Sequence, residues 1–350
     1  MRRFTPTKFL LLTLLILVFF VLNLLLGTVR IPLPDVLRVL CGADGAASDL
    51  SQWEIWSNII WSSRVPQALT ATVAGAGLAV SGLQMQTVFR NPLAGPSVLG
   101  ISNGASLGVA FVVLLSGSLG GVALSKMGYV GDVAISVAAV VGALAVMSLI
   151  LYVSQKVKGN VTLLIIGMMI GYLVTAVVGV LKFFSAEEDI RAYVVWGLGS
   201  FARVSGDQML LFVVMMLVLL PLSMLIAKPM NLLLMGDEYA INLGLNLKRA
   251  RFLVIGCSGV LVAIVTAYCG PIMFIGMAVP HLCRVLFRTS DHRILMPGTA
   301  LTGSALALVC NLIARMPGFE GALPINSVTA LVGAPIIAYV LFKKNRRFGE

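Results

Sequence analysis

Long apolar runs separated by short polar or glycine- and proline-containing stretches set the rhythm of this chain. The first run extends from Phe9 to Val29 behind Arg2, Arg3 and Lys8. Nine more of roughly membrane-crossing length follow near 66–83, 98–116, 130–153, 161–184, 209–227, 251–268, 271–287, 295–314 and 325–342. The pattern predicts an all-α integral membrane protein with about ten transmembrane helices, folded as one domain over residues 1–350. The first run is longer than a signal-peptide core and no small-x-small cleavage site follows it, so it reads as a retained helix. The poorest fit is 271–287, where Pro271, Pro280, His281 and Arg284 interrupt the run and a re-entrant or broken helix is the alternative.

Basic residues lie between the runs and act as orientation signals. Arg2, Arg3 and Lys8 open the chain and Lys343, Lys344, Arg346 and Arg347 close it, so both termini are expected to be cytoplasmic and the span number even. In the ten-span arrangement 17 of the 25 Lys and Arg fall on the cytoplasmic side and 8 on the other. A chain 59% hydrophobic and only 11% charged is far from an average soluble domain. Its net charge of +11 belongs to these loops and forms no folded basic face, so no nucleic-acid partner is expected.

Candidate chemistry is sparse. Five cysteines without a CxxC pair and two histidines, His281 and His292, supply neither a disulfide framework nor a metal-ligand set. His281 reads as a hydrogen-bonded structural histidine at a helix end. All 14 acidic residues fall in loops or at span ends, and Lys182, close enough to an end to snorkel, is the one charge expected at depth. Ion-coupled transporters generally carry ionisable or coordinating groups near mid-membrane. No GxxxxGK[ST] phosphate loop is present, so any pumping energy is expected from a separate subunit, and no cofactor is expected on this chain.

The stretch "RNPLAGPSVLGISNGASLG", residues 90–108, stands out between two apolar runs. Its Asn91-Pro92 and Gly95-Pro96 pairs force turns. From Ser97 a helix can resume, on which Gly100, Gly104 and Gly108 share one face; Ala71, Gly75 and Ala79 repeat that spacing in the second run. Such stripes allow close helix approach in lipid, and spacing alone favours packing over a substrate role.

"RNPLAGPSVLGISNGA" resembles the RNPLAxPxxLGISxGA segment of FecCD-type permeases, the membrane subunits of type II ABC importers for iron–siderophore chelates, haem and vitamin B12. Residues 267–305 are similar to that family's second block through Gly270, Phe274, Gly276, Pro280, His281, Arg284, Asp291, His292, Arg293 and Pro297, and "LPINSVTALVGAPIIAYVL", residues 323–341, to a third. The likeness runs from Arg64 to Phe342. It implies a homodimer of ten-span subunits in the bacterial inner (cytoplasmic) membrane, with a translocation path along the dimer axis and an inverted relation between spans 2–5 and 7–10. It also implies a periplasmic or lipid-anchored substrate-binding protein and two cytoplasmic ATPase subunits that hold the ATP and Mg.

The same resemblance assigns roles. Gly236, Asp237, Ala240, Leu243 and Gly244, within a cytoplasmic connection at 228–250, match the segment that couples to the ATPase. Arg64 and Arg315 match arginines that dock the binding protein, while Gln67 stands where a further arginine is usual. Asn91, Pro92 and Leu93 are expected at the cytoplasmic gate and Asn160 and Val161 at a second closure; apart from the resemblance, the fifth span, with Met168, Met169, Phe183 and Phe184, is expected to line the pathway. An ion-coupled secondary transporter and an integral-membrane enzyme are the other readings. The first is disfavoured by the missing buried carboxylates, the second by the absence of a cluster for acid–base or metal chemistry.

Overall fold

Each of the ten apolar runs lies on a helix, and short helices punctuate them. In chain order the α-helices are α1 (Thr5–Leu25), α2 (Leu33–Leu40), α3 (Leu50–Ile59), α4 (Val65–Phe89), α5 (Ile101–Ser118), α6 (Tyr129–Lys156), α7 (Asn160–Phe183), α8 (Glu187–Gly197), α9 (Asp207–Met224), α10 (Ala227–Leu234), α11 (Asp237–Asn242), α12 (Leu247–Cys269), α13 (Ile275–Phe287), α14 (His292–Ala314) and α15 (Ile325–Arg346). The computed structural model describes residues 5–27, 29, 31–42, 50–118, 128–157, 159–204, 206–316 and 322–346. Of the charges counted above, Arg2, Arg3, Arg30, Lys126, Lys158, Arg347, Asp44, Asp49, Glu320 and Glu350 lie outside the described residues. Six of the described helices are long and apolar enough to cross a membrane; α9 and α10 form a further pair bent by 47°, and parts of α5, α13 and α15 are shorter apolar helices.

Small residues explain how these helices pack, because in lipid close backbone contact takes the place of a hydrophobic drive. Helix α4 is central and buried along nearly its whole length. A side chain at Gly75 would collide with the Gly303 carbonyl of α14, and one at Gly104 or Gly108 with the Gly142 and Ala138 region of α6. Gly100 departs from the expected stripe. It follows a 3₁₀ turn at Pro96–Leu99 and adopts φ +74°, so α5 begins only at Ile101 and Gly100 is a left-handed joint. Polar pairs set register: Asn23 of α1 donates to the Leu308 carbonyl at 3.1 Å and accepts from Asn311 at 2.8 Å.

Helix α4 packs on α14, and α12 packs on α6. Where α4 crosses α12 the bonding is reciprocal, with each of Ser81 and Ser258 placing its hydroxyl 3.2 Å from the other's carbonyl and the hydroxyls 2.5 Å apart.

The run at 271–287 is broken, as its prolines forewarned. Helix α13 covers 13 residues, about 20 Å, too short for a hydrocarbon layer of about 30 Å. An irregular stretch with Phe274 at φ +67° precedes it. This stretch meets the other irregular segment, since Pro96 packs against Gly276. Non-helical backbone is tolerated at depth where protein surrounds it.

Candidate functional site

The polar chemistry gathers at the two ends of α4. At its C-terminal end Arg90 takes a left-handed conformation, φ +46°, and turns the chain out of the helix. In the following turn Asn91 Oδ1 accepts the Leu93 N–H at 2.9 Å, and Leu93 is exposed. His281 Nε2 donates to the Pro92 carbonyl at 2.8 Å, the structural role expected of it. Gln86 ties the same end to α13, donating to the Met277 carbonyl and accepting from Arg284 at 2.6 Å.

The expected coupling segment, 228–250, holds two short helices. Its first part is helix α10, buried through Met230 and Leu233, and only Met235 to Asn246 project as a knob around α11. Gly236 enters α11 at φ +114° and Gly244 leaves it at φ +84°. The exit is a Schellman motif: the Gly244 N–H reaches the Ile241 carbonyl at 2.8 Å and the Leu245 N–H the Ala240 carbonyl at 2.9 Å. Ala240 faces inward, while Tyr239, Ile241 and Leu243 are exposed.

Asp237 bridges the knob to the bundle. Arg90 donates to its Oδ1 at 2.5 Å and Arg251 to its Oδ2 at 2.7 Å, while Arg90 Nε also donates to the Leu233 carbonyl at 3.2 Å. One carboxylate thus joins α11, the turn after α4, and α12. A second bridge starts on α10, where Asn231 Nδ2 donates to Asp291 Oδ1 at 2.7 Å. Its Oδ1 accepts both the His292 backbone N–H at 2.8 Å and ring Nδ1–H at 2.7 Å. His292 Nε2 lies 2.8 Å from the Thr87 hydroxyl of α4. The Arg293 backbone N–H, and then the Asn231 amide, hold the Asp291 carboxyl below its ordinary range. Lys8 donates to the Leu286 carbonyl at 2.7 Å, so the start of α1 lies at this end of the molecule.

The other end of α4 corrects an expectation. Arg64 is only 1% exposed. Its guanidinium donates to the carbonyls of Leu24, Leu25 and Val29, capping the end of α1. It is therefore an internal anchor here rather than a surface docking charge. Arg315 lies beside it across Gly27, and burial pushes its guanidinium below the ordinary value. Arg315 lines a small cavity of about 60 Å³ with Gln67 and Asn311. Gln67 Oε1 and Arg315 Nη1 both face the interior without a hydrogen-bond partner among the described residues.

The gate candidates are not all brought together. Val161 opens α7 and is exposed, whereas Phe184 follows its last residue, about 35 Å away along the helix; the side chain of Asn160 lies outside the described residues. Phe183 and Phe184 pack edge to face at 5.1 Å and are both largely exposed, as is Met169. Lys182 places its ammonium 4.7 Å from the centre of the Tyr193 ring. Asp189 is buried, on α8 between two of the long helices. No sequence pattern marks Asn231; Arg251 enters only as an orientation charge, Arg90 as that and a motif position, and Asp291 and His292 as motif positions.

Comparison with known proteins agrees with this architecture. A model of the FecCD transport family matches residues 14–343. The hemin transport system permease protein HmuU of Yersinia pestis is 36% identical over 298 residues, covering 85% of this chain and 86% of that one. The vitamin B12 import system permease protein BtuC of Escherichia coli is 35% identical over 290 residues, covering 82% and 84%. The solved inward-facing structure of a metal-chelate type ABC transporter superposes with a TM-score of 0.82 at 29% identity, over 97% of this chain and 99% of that one. With a match of this extent, the chain belongs to the FecCD transport family.

Proposed function

We propose that this chain is the membrane permease of an ABC importer for a metal chelate, of the iron–siderophore, haem or cobalamin class. Two copies form the translocation path in the bacterial inner membrane. A binding protein delivers the cargo from outside, and two cytoplasmic ATPase subunits supply the work. The end of α4 at Arg90 faces the cytoplasm. There the exposed Tyr239, Ile241 and Leu243 form a compact apolar knob of the kind a groove in another protein can grip.

The observation that carries this reading is the Asp237 bridge. It ties the knob through Arg90 to the turn at Asn91–Leu93 and through Arg251 to α12, so a push on α11 reaches the gate through one charge-assisted hydrogen bond while a second steadies the knob on the bundle. The exposed Arg90 pair contributes roughly 0–1 kcal/mol and the more buried Arg251 pair somewhat more, together enough to bias a two-state gate on the order of ten-fold. Arg64 serves the fold as an anchor, which leaves the partly exposed Arg315 as the remaining arginine for docking the binding protein.

Proteoliposomes holding this chain, its ATPase and its binding protein test the proposal directly. One of ferri-siderophore, haemin or cobalamin should accumulate only when ATP and binding protein are both present. Accumulation driven by a pH gradient in vesicles lacking the ATPase would instead support ion coupling.

A further inference from the structure

We infer that Asn231 is a positioning residue for transport, through which α10 sets the end of α4 by way of His292 and Thr87. The inference rests on the coupling role proposed above. It concerns a separate route from the Asp237 bridge, which leaves from α11 and lands on the turn beyond α4. The Asn231 route leaves from α10 and lands inside α4 itself, two residues before its last residue, Phe89.

Hydrogen-bond accounting fixes every group in this chain of contacts. The Asp291 carboxylate can only accept, so the Asn231 atom 2.7 Å from it is the NH₂ group. The other Asn231 atom is then the carbonyl oxygen, and His292 Nδ1, 2.7 Å away, must carry the proton. In the neutral ring Nε2 is left as an acceptor for the Thr87 hydroxyl at 2.8 Å. His281 has the opposite tautomer, because its Nε2 donates to the Pro92 carbonyl. The two histidines therefore hold the two sides of one turn, one gripping α4 and the other the loop that follows it.

Thr87 makes the contact a switch rather than a weld. Its hydroxyl also lies 2.8 Å from the Leu83 carbonyl one turn earlier. One proton has two acceptors within reach. When α10 draws His292 away, Thr87 can return its proton to its own helix and no buried donor is left unmade. Asn231 decides between the two positions because its side-chain oxygen holds His292 by backbone N–H and ring N–H at once, at 2.8 and 2.7 Å. A two-position element of this kind is what coupling between distant parts of a protein requires.

The test uses two variants and two readouts. In the reconstituted transporter, Asn231→Ala and Thr87→Val should each lower cargo moved per ATP hydrolysed on the order of ten-fold, with hydrolysis itself within about two-fold of the unaltered protein. The double variant should be no worse than either single one, because both cut the same route. Independently of any partner, ¹⁵N NMR of the histidine-labelled chain in detergent at pH 8 should show two neutral rings of opposite tautomer, and Asn231→Ala should abolish the Nδ1–H preference of one. An unchanged transport-to-hydrolysis ratio in Thr87→Val, or two Nε2–H rings in the unaltered chain, overturns the inference. If the unaltered assembly shows no ATP-driven uptake at all, the proposed function fails, and the NMR result still decides whether the contact chain exists.

Discussion

The two ends of α4 are built from the same materials and behave as different devices. At the Arg90 end, side chains from α10, α11, α12, α13 and α14 bond to one another and to the helix, and the links pass between elements through single carboxylate, amide and imidazole groups. At the Arg64 end the guanidinium bonds to three backbone carbonyls of one neighbouring helix end. Backbone carbonyls at a helix end have no other outlet and do not change partners easily. Side chains with more than one acceptor in reach do. One end is therefore suited to motion and the other to anchorage.

Breaking the first end should cost transport and spare the fold. Gly244→Pro has the largest expected effect, since proline cannot adopt φ +84° and removes the N–H that reaches the Ile241 carbonyl. ATP-driven uptake should be abolished while the chain still reaches the membrane in normal amount, measured by quantitative blotting of membrane fractions. Asp237→Asn should follow, lowering uptake roughly ten-fold or more as both arginine contacts lose their charge assistance. Adding salt to the unaltered protein should move it a little in the same direction, because Asp237 is partly exposed.

Breaking the second end should reverse the pattern. Arg64→Ala leaves the final carbonyls of α1 uncapped and buried, at a cost of about 1–3 kcal/mol. A lower midpoint of thermal unfolding should result, with uptake per folded molecule retained. The smallest effect is expected at Gln67→Leu, which removes an oxygen that has no partner among the described residues and should change stability by less than about 1 kcal/mol.

Acid sharpens the contrast. Since the Asp291 carboxyl is held below its ordinary range in the folded chain, its contribution is complete above the unfolded value of about 4. It is lost as pH falls through the lower folded value. Thermal stability should thus show no Asp291-dependent change between pH 7 and 5, with the difference between the unaltered chain and Asp291→Asn closing only under stronger acid.

What the sequence revealed follows from the solvent it meets. A membrane-crossing helix has to be apolar over its whole length, so the helical, membrane-embedded character of the chain could be read from residue type alone, whereas six of the described helices, or seven with the bent pair, reach crossing length. The failures came where geometry overrode type. Gly100 kept the spacing of a packing stripe yet serves as a left-handed joint, because Pro96 forces a 3₁₀ turn just before it. In the coupling segment the glycine at 244 signals the end of a short helix, but nothing local marks α10, whose helical form depends on Met230 and Leu233 burying one face. Arg64 could be assigned a docking role only by likeness, since nothing local shows that the end of α1 folds back onto it. Asn231 is a lone asparagine on a short helix; its partners lie 60 residues away in sequence, and only the fold brings them together.

The central claim is that the α11 knob and the turn after α4 move as one piece. Spin labels on Leu93, Tyr239 and Val161, introduced in pairs and followed by electron–electron distance measurement in the assembled transporter, address it directly. On binding nucleotide, the Leu93–Tyr239 distance should stay fixed while Leu93–Val161 changes. A Leu93–Tyr239 distance that changes while Leu93–Val161 does not would contradict the account.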